Sequence, residues 1–121
     1  MAHDGTLSLR QALGFVFDVD GTLVHRRPDF RARPVPGAAE VLERIRRSGR
    51  RLVLFTNGSH VPAAQIARAL SEDGLPVADD EVLTPVESAI TYLRRCHSGS
   101  AVFLFSTDVI RERIAAAGIR L

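Results

Sequence analysis

Apolar residues in this chain fall into two kinds of pattern. Short runs lie at residues 14–18, 52–56, 82–83 and 101–105. None alternates cleanly with polar residues, which predicts strands buried on both faces, as in a parallel sheet. Between the runs, apolar residues recur at helical spacing. Ala38, Val41, Leu42 and Ile45 form one such stripe, and Gly49 follows as a stop. Ala63, Ile66, Ala67 and Leu70 form a second, with Pro62 near its start and Gly74 beyond its end. Val86, Ala89, Ile90 and Leu93 form a third. It follows Thr84-Pro85-Val86-Glu87, which reads as a capping box with proline at the first helical position. A fourth helix is predicted over residues 108–117, closed by Gly118.

Alternating strands and helices predict an α/β fold with parallel strands, right-handed crossovers and flanking helices. Connections are short except for residues 24–34, VHRRPDFRARP, a polar, arginine-rich loop bounded by proline, which could bring an arginine to an anionic substrate but reads better as a solvated loop. There is no internal repeat or low-complexity tract. A chain of 121 residues suffices for one small domain with a true core. No apolar stretch approaches ~18 residues, so no membrane span is expected. The first 14 residues lack a basic segment followed by an apolar one, so no signal peptide is expected. Cys96 is the one cysteine. It reads as a half-buried thiol on a helix, and its solitude favours a reducing, cytoplasmic setting.

Charge excludes further classes. All 16 basic residues are arginine, so a Walker A loop, Schiff-base chemistry and any catalytic lysine are absent from these residues. The arginine pairs at 26–27, 46–47, 50–51 and 94–95 are interleaved with acids, and no aromatic series accompanies them. Solvated helix faces explain them better than nucleic-acid binding.

The chemistry concentrates at FVFDVDGTL, residues 15–23, where an apolar strand ends in Asp18 and Asp20. Ligands of an open parallel sheet bind beyond the carboxyl ends of its strands. Two carboxylates two residues apart can point into one crevice, where Mg²⁺ would offset their repulsion. One could act as a nucleophile and the other as a general acid and base. Thr56-Asn57-Gly58-Ser59 ends the second strand in a similar way, and its hydroxyl, amide and backbone N–H groups suit phosphate oxygens ahead of a helix start. Taken alone, TNGS also reads as an ordinary turn and helix cap. A calcium loop is excluded, because the sixth position counted from Asp18 is Leu23 rather than glycine. His25 and His60 are expected at the surface, with no partners at metal-ligand spacing. Asp4-Gly5-Thr6-Leu7 repeats the letters of residues 20–23 with no strand before it, and is expected to be fortuitous.

With these motifs in order, the chain resembles the haloacid dehalogenase-like hydrolase superfamily. FVFDVDGTL is similar to its first motif and LVLFTNGS to its second. VPGAAEVLERIRRSGRRLVLFTNGSH, VLTPVESAITYLRR and AVFLFSTDVIRERIAAAGIRL resemble its NagD-like (type IIA) branch of small-molecule phosphatases. The resemblance implies a Rossmann-like core sheet, with residues 1–97 as the N-terminal part of that core. Residues 98–121 would then open an inserted, incomplete type II cap domain, whereas periodicity alone assigns them to the core sheet. It implies Asp18 as the nucleophile forming an aspartyl-phosphate and as a Mg²⁺ ligand. It implies Asp20 as acid and base, also on the metal, with Thr56, Asn57 and Gly58 holding the phosphoryl group. The implied substrate is a small phosphorylated metabolite, with neither nucleic acid nor membrane as partner. Neither the substrate nor the oligomeric state has a readable motif.

The family's third-motif lysine and fourth-motif acids have no counterpart in these residues, so a truncated chain that is nearly inactive alone is expected. That departure keeps open a non-catalytic remnant or anion-binding module. A receiver-type phosphoacceptor domain is disfavoured, since the second strand ends in Thr56 and lysine is absent.

Overall fold

The computed structural model describes residues 8–121, so Asp4-Gly5-Thr6-Leu7 lies outside the described residues. Three parallel strands form the sheet: β1 (Gly14–Asp18), β4 (Arg51–Phe55) and β5 (Val82–Leu83), in the order β1-β4-β5. A short antiparallel hairpin, β2 (Val24–Arg26) and β3 (Ala32–Pro34), rises between β1 and the first helix. Helices α1 (Ala38–Arg47) and α2 (Ala63–Glu72) connect the strands. Helices α3 (Pro85–Cys96) and α4 (Asp108–Ala116) follow the sheet.

All four predicted helices form where the apolar stripes lie. Leu42 and Ile45 of α1, and Ile66, Ala67 and Leu70 of α2, are buried in one cluster with Leu52 and Leu54 of β4. The register sets Phe15 beside Leu52 and Phe17 beside Leu54, so these side chains share the covered face. The opposite face carries Val16, 76% exposed, and Phe55. Burial on both faces therefore does not hold among the described residues, because α1 and α2 pack into a single core on one side of the strands.

Three further expectations are corrected. Residues 24–34 are a β-hairpin rather than an irregular loop, with Val24 and Ala32 turned into the core. Residues 101–105 form no strand. Ala101 makes only an isolated bridge to Arg120, while Phe103 and Phe105 stand almost fully exposed. A parallel strand needs a neighbour to satisfy its ladder, and beyond the contact with Arg120 this segment has none among the described residues. Cys96 is exposed rather than half-buried, at the last position of α3.

A second apolar cluster joins Val86 and Ile90 of α3 to Ile110, Ile114 and Ala117, with Leu104 and Ile119 against it. The capping box at α3 forms by half. The Thr84 hydroxyl accepts from the Glu87 N–H at 3.5 Å, but the Glu87 carboxylate turns to Arg113, accepting its Nε and Nη2 at 3.0 and 2.7 Å. A bidentate charged pair outcompetes a single neutral backbone donor.

Candidate active site

The turn after β1 is organised around Val19. Its side chain is fully buried, while its carbonyl accepts from the N–H groups of Thr22, Leu23 and Val24 at 3.2, 2.9 and 3.1 Å. Gly21 sits at φ +82, a left-handed conformation that costs other residues roughly 1–2 kcal/mol. With Val19 pinned inward, the flanking Asp18 and Asp20 both emerge into solvent. Asp18 Oδ2 accepts from the Thr22 hydroxyl at 3.2 Å, and Asp20 Oδ1 accepts from Arg26 Nε at 2.6 Å.

Parallel register aligns Asp18 with Phe55, so Thr56 leaves the sheet beside the carboxylate turn. Thr56 is buried, and its N–H donates to the Leu83 carbonyl at 3.1 Å. Its Oγ1 accepts from the Gly58 N–H at 3.4 Å, which leaves the hydroxyl proton available to an anion. A Cβ on Gly58 would lie 3.0 Å from Ile66 Cδ1, so glycine lets this loop approach α2 closely. Helix α2 begins after Pro62 with no acid in its first turn, an end whose dipole favours negative charge.

A cleft of about 410 Å³ opens here, lined by Asp20, Thr56 and Gly58 together with Arg26, Phe30, His60 and Gln65. The fold thus brings three of the five proposed residues into one cleft wall. Asp18 and Asn57 are exposed and lie outside the lining. His25 and His60 are both exposed, as expected, but His60 also lines the cleft. The sequence pointed to an arginine of residues 24–34 without saying which, and it did not single out Phe30 or Gln65. The retrievable signal was the set of arginines at 26, 27, 31 and 33, with nothing local to say which one turns back toward Asp20.

The hairpin that carries Arg26 is clamped from α2. The Asp73 carboxylate, at the C-terminal cap of α2, accepts from the Ala32 N–H at 2.8 Å and from Arg31 Nε at 2.8 Å. The Ala32 bond foremost, and Arg31 next, hold the Asp73 carboxyl below the usual carboxylate range. Arg46 similarly grips Glu81 through Nε and Nη2 at 2.8 and 2.6 Å, tying α1 to the turn before β5 and lowering the Glu81 carboxyl in the same sense.

A turn bearing two carboxylates, a hydroxyl-bearing second strand end and a helix start, all on one parallel sheet, place the chain in the haloacid dehalogenase-like class. The profile of the haloacid dehalogenase-like hydrolase family matches residues 15–120, and the chain belongs to that family. Mouse chronophin is 31% identical, over 93% of this chain and 39% of that protein. The D-glycerol 3-phosphate phosphatase of Mycobacterium tuberculosis is 28% identical, over 87% of this chain and 28% of that protein. Among solved structures, NagD from E. coli K-12 superposes with a TM-score of 0.77 at 28% identity, covering 90% of this chain and 41% of its own. The M. tuberculosis glycerol phosphate phosphatase in complex with magnesium superposes with a TM-score of 0.73 at 28% identity, over 92% of this chain and 32% of that one. The chain therefore spans about two-fifths or less of these relatives. No helix among the described residues is long and apolar enough to cross a membrane.

Proposed function

We propose that this chain carries the nucleophile and phosphate-binding half of a Mg²⁺-dependent phosphatase acting on small phosphorylated metabolites. The observation that carries the reading is the shared cleft of Asp20, Thr56 and Gly58, with Asp18 at the adjoining strand end. Asp18 Oδ attacks phosphorus, the ester oxygen leaves, and an aspartyl-phosphate forms. Asp20 gives a proton to the departing oxygen and then takes one from the water that hydrolyses the acyl phosphate. Thr56, with the Asn57 and Gly58 backbone, holds the non-bridging oxygens.

Hard oxygen donors fit Mg²⁺, which is commonly held by one or two carboxylates, substrate phosphate and water. Asp18 and Asp20 supply such donors, and no group of three His, Cys, Asp or Glu side chains is assembled among the described residues. When bound, the metal supplies charge neutralisation for the phosphoryl oxygens. The phosphatase names of several relatives support the same reading. Residues 1–97 are taken as the N-terminal part of the catalytic core and 98–121 as the first unit of an inserted cap. The second apolar cluster crosses this boundary, joining Val86 and Ile90 of α3 to Ile110, Ile114 and Ala117.

The test is phosphatase activity of the complete natural protein with Mg²⁺ and p-nitrophenyl phosphate. Asp18→Asn should reduce turnover by at least about 10³-fold with the fold intact, since it removes the attacking group. Turnover that survives this substitution sinks the reading. The absence of lysine from these residues motivates the rival, an anion-binding module. It predicts phosphate binding with no turnover in the same assay.

A further inference from the structure

Asp20 is exposed, yet its carboxylate is not free to turn. Arg26 Nε donates to Oδ1 at 2.6 Å, while Oδ2 accepts no hydrogen bond among the described residues. One oxygen is held and the other is left open, on a residue that lines the cleft.

The guanidinium is itself held in place by the hairpin. Its Nη1 donates to the Phe30 carbonyl at 3.3 Å. Phe30 stands at φ +63, a left-handed conformation that a bulky side chain rarely adopts. Strain of this kind persists only where the surroundings impose it. Here the turn is closed by the Phe30 N–H on the Arg27 carbonyl and the Arg27 N–H on the Arg31 carbonyl, both at 2.9 Å. The hairpin register then sets Arg26 directly opposite Ala32. Ala32 is the residue whose N–H donates to the Asp73 carboxylate at 2.8 Å, beside Arg31 Nε on the same carboxylate. Helix α2 therefore bears on the site twice. Gln65, Ile66 and Ala69 line the cleft, and Asp73 at its C-terminal cap anchors the strand that faces Arg26.

We infer that Arg26 is a positioning residue that fixes the Asp20 carboxylate for proton transfer, and that Asp73 sets its aim through the β2–β3 hairpin. The inference rests on the phosphatase reading, in which Asp20 moves the proton. Both side chains of the Arg26–Asp20 pair are open to water, so the pair adds little to stability. Its effect is on geometry, where a displacement of about 1 Å can cost about 10²-fold in rate.

The test compares phenyl phosphate with p-nitrophenyl phosphate, on the complete natural protein with Mg²⁺. The two esters have similar shapes, but the phenyl ester has the more basic leaving oxygen and depends more on a proton donor. Arg26→Gln should lower kcat/KM about 100-fold for phenyl phosphate and about tenfold or less for p-nitrophenyl phosphate. Arg26→Lys should restore part of the loss, and Arg33→Gln, outside the cleft lining, should change neither value. Asp73→Ala should reproduce the leaving-group dependence more weakly, and should add nothing in the Arg26→Gln background, because it acts through that guanidinium. Equal losses for the two esters would mean that Arg26 only binds phosphate, and would overturn the assignment. Additive losses from Asp73→Ala and Arg26→Gln would overturn the link through the hairpin. Circular dichroism establishes that each variant folds, and Asp73→Asn replaces Asp73→Ala if the latter does not. A second measurement needs no turnover. In side-chain NMR, the Arg26 Nε–H should exchange with water more slowly than the Arg33 Nε–H, and Asp20→Ala or Asp73→Ala should abolish the difference. No difference in the native protein overturns the inference. Slowed exchange in a protein without phosphatase activity would overturn the preceding reading while the link between Asp73, Arg26 and Asp20 stands.

Discussion

Val19 resolves the conflict between an apolar strand and its two terminal carboxylates. One buried side chain between two acids sends both outward, so neither pays the desolvation cost of burial. The three N–H groups gathered on its carbonyl close the turn that Gly21 permits. Val19→Ala should therefore destabilise the fold by about 2 kcal/mol, from lost methyl burial plus the cavity left behind. Urea denaturation checks it as a lower midpoint with an unchanged slope. Asp18→Ala, whose one side-chain hydrogen bond among the described residues is to the exposed Thr22, should move the midpoint little. A larger loss from Asp18→Ala than from Val19→Ala would contradict this division between structural and chemical residues. These residues were legible in the sequence because the motif is contiguous: the strand, the acids and the glycine turn lie within nine positions. Arg26 was not, because its aim depends on hairpin register.

The hairpin shows how an element escapes sequence reading. Its strands have three residues each, and only Val24 and Ala32 are buried. Arginine and histidine occupy the remaining positions, apart from the half-buried Pro34, so no alternation strong enough to mark a strand survives. Its anchor, Asp73, is 41 residues from Ala32. Residues 101–105 failed in the opposite sense: apolar composition suggested a strand, but pairing decides a strand, and a bridge at Ala101 is all that forms. The Asp73 clamp has a definite pH dependence. Its carboxyl is lowered on folding, so its contribution is complete above the unfolded value of about 3.9 and is lost as pH falls through the lower folded value. Asp73→Asn should remove the ionic part of the clamp at every pH. Hydrogen exchange at the Ala32 and Arg27 amides should then quicken at pH 7, with that of β4 unchanged. Protection at Ala32 equal to that of the native protein would show that the hairpin is held by Val24 and Ala32 packing alone.

At the scale of the whole molecule, the two apolar clusters have no buried residue in common. Thr84 follows β5 directly and caps α3, and the Thr107 hydroxyl donates to the His60 carbonyl at 3.1 Å. These are the polar links between the sheet side and the α3–α4 layer among the described residues. The Glu87–Arg113 pair, by contrast, lies within that layer and crosses from one helix to the other. Few apolar contacts between layers mean that one can open while the other stays closed. Ile114 is 4% exposed in the smaller cluster. Ile114→Ala should cost about 3 kcal/mol there, which corresponds to roughly 100-fold faster native-state exchange for amides of α3 and α4. Amides of β1 and β4 should change by less than about threefold, because their protection comes from the larger cluster. Equal acceleration in both layers would mean a single cooperative unit, and the His60 carbonyl link would then couple the phosphate loop directly to α4. Independent opening instead leaves Asp18, Asp20 and Thr56 fixed on the sheet while the layer behind His60 moves, so that access to the cleft can change without disturbing the groups placed there for chemistry.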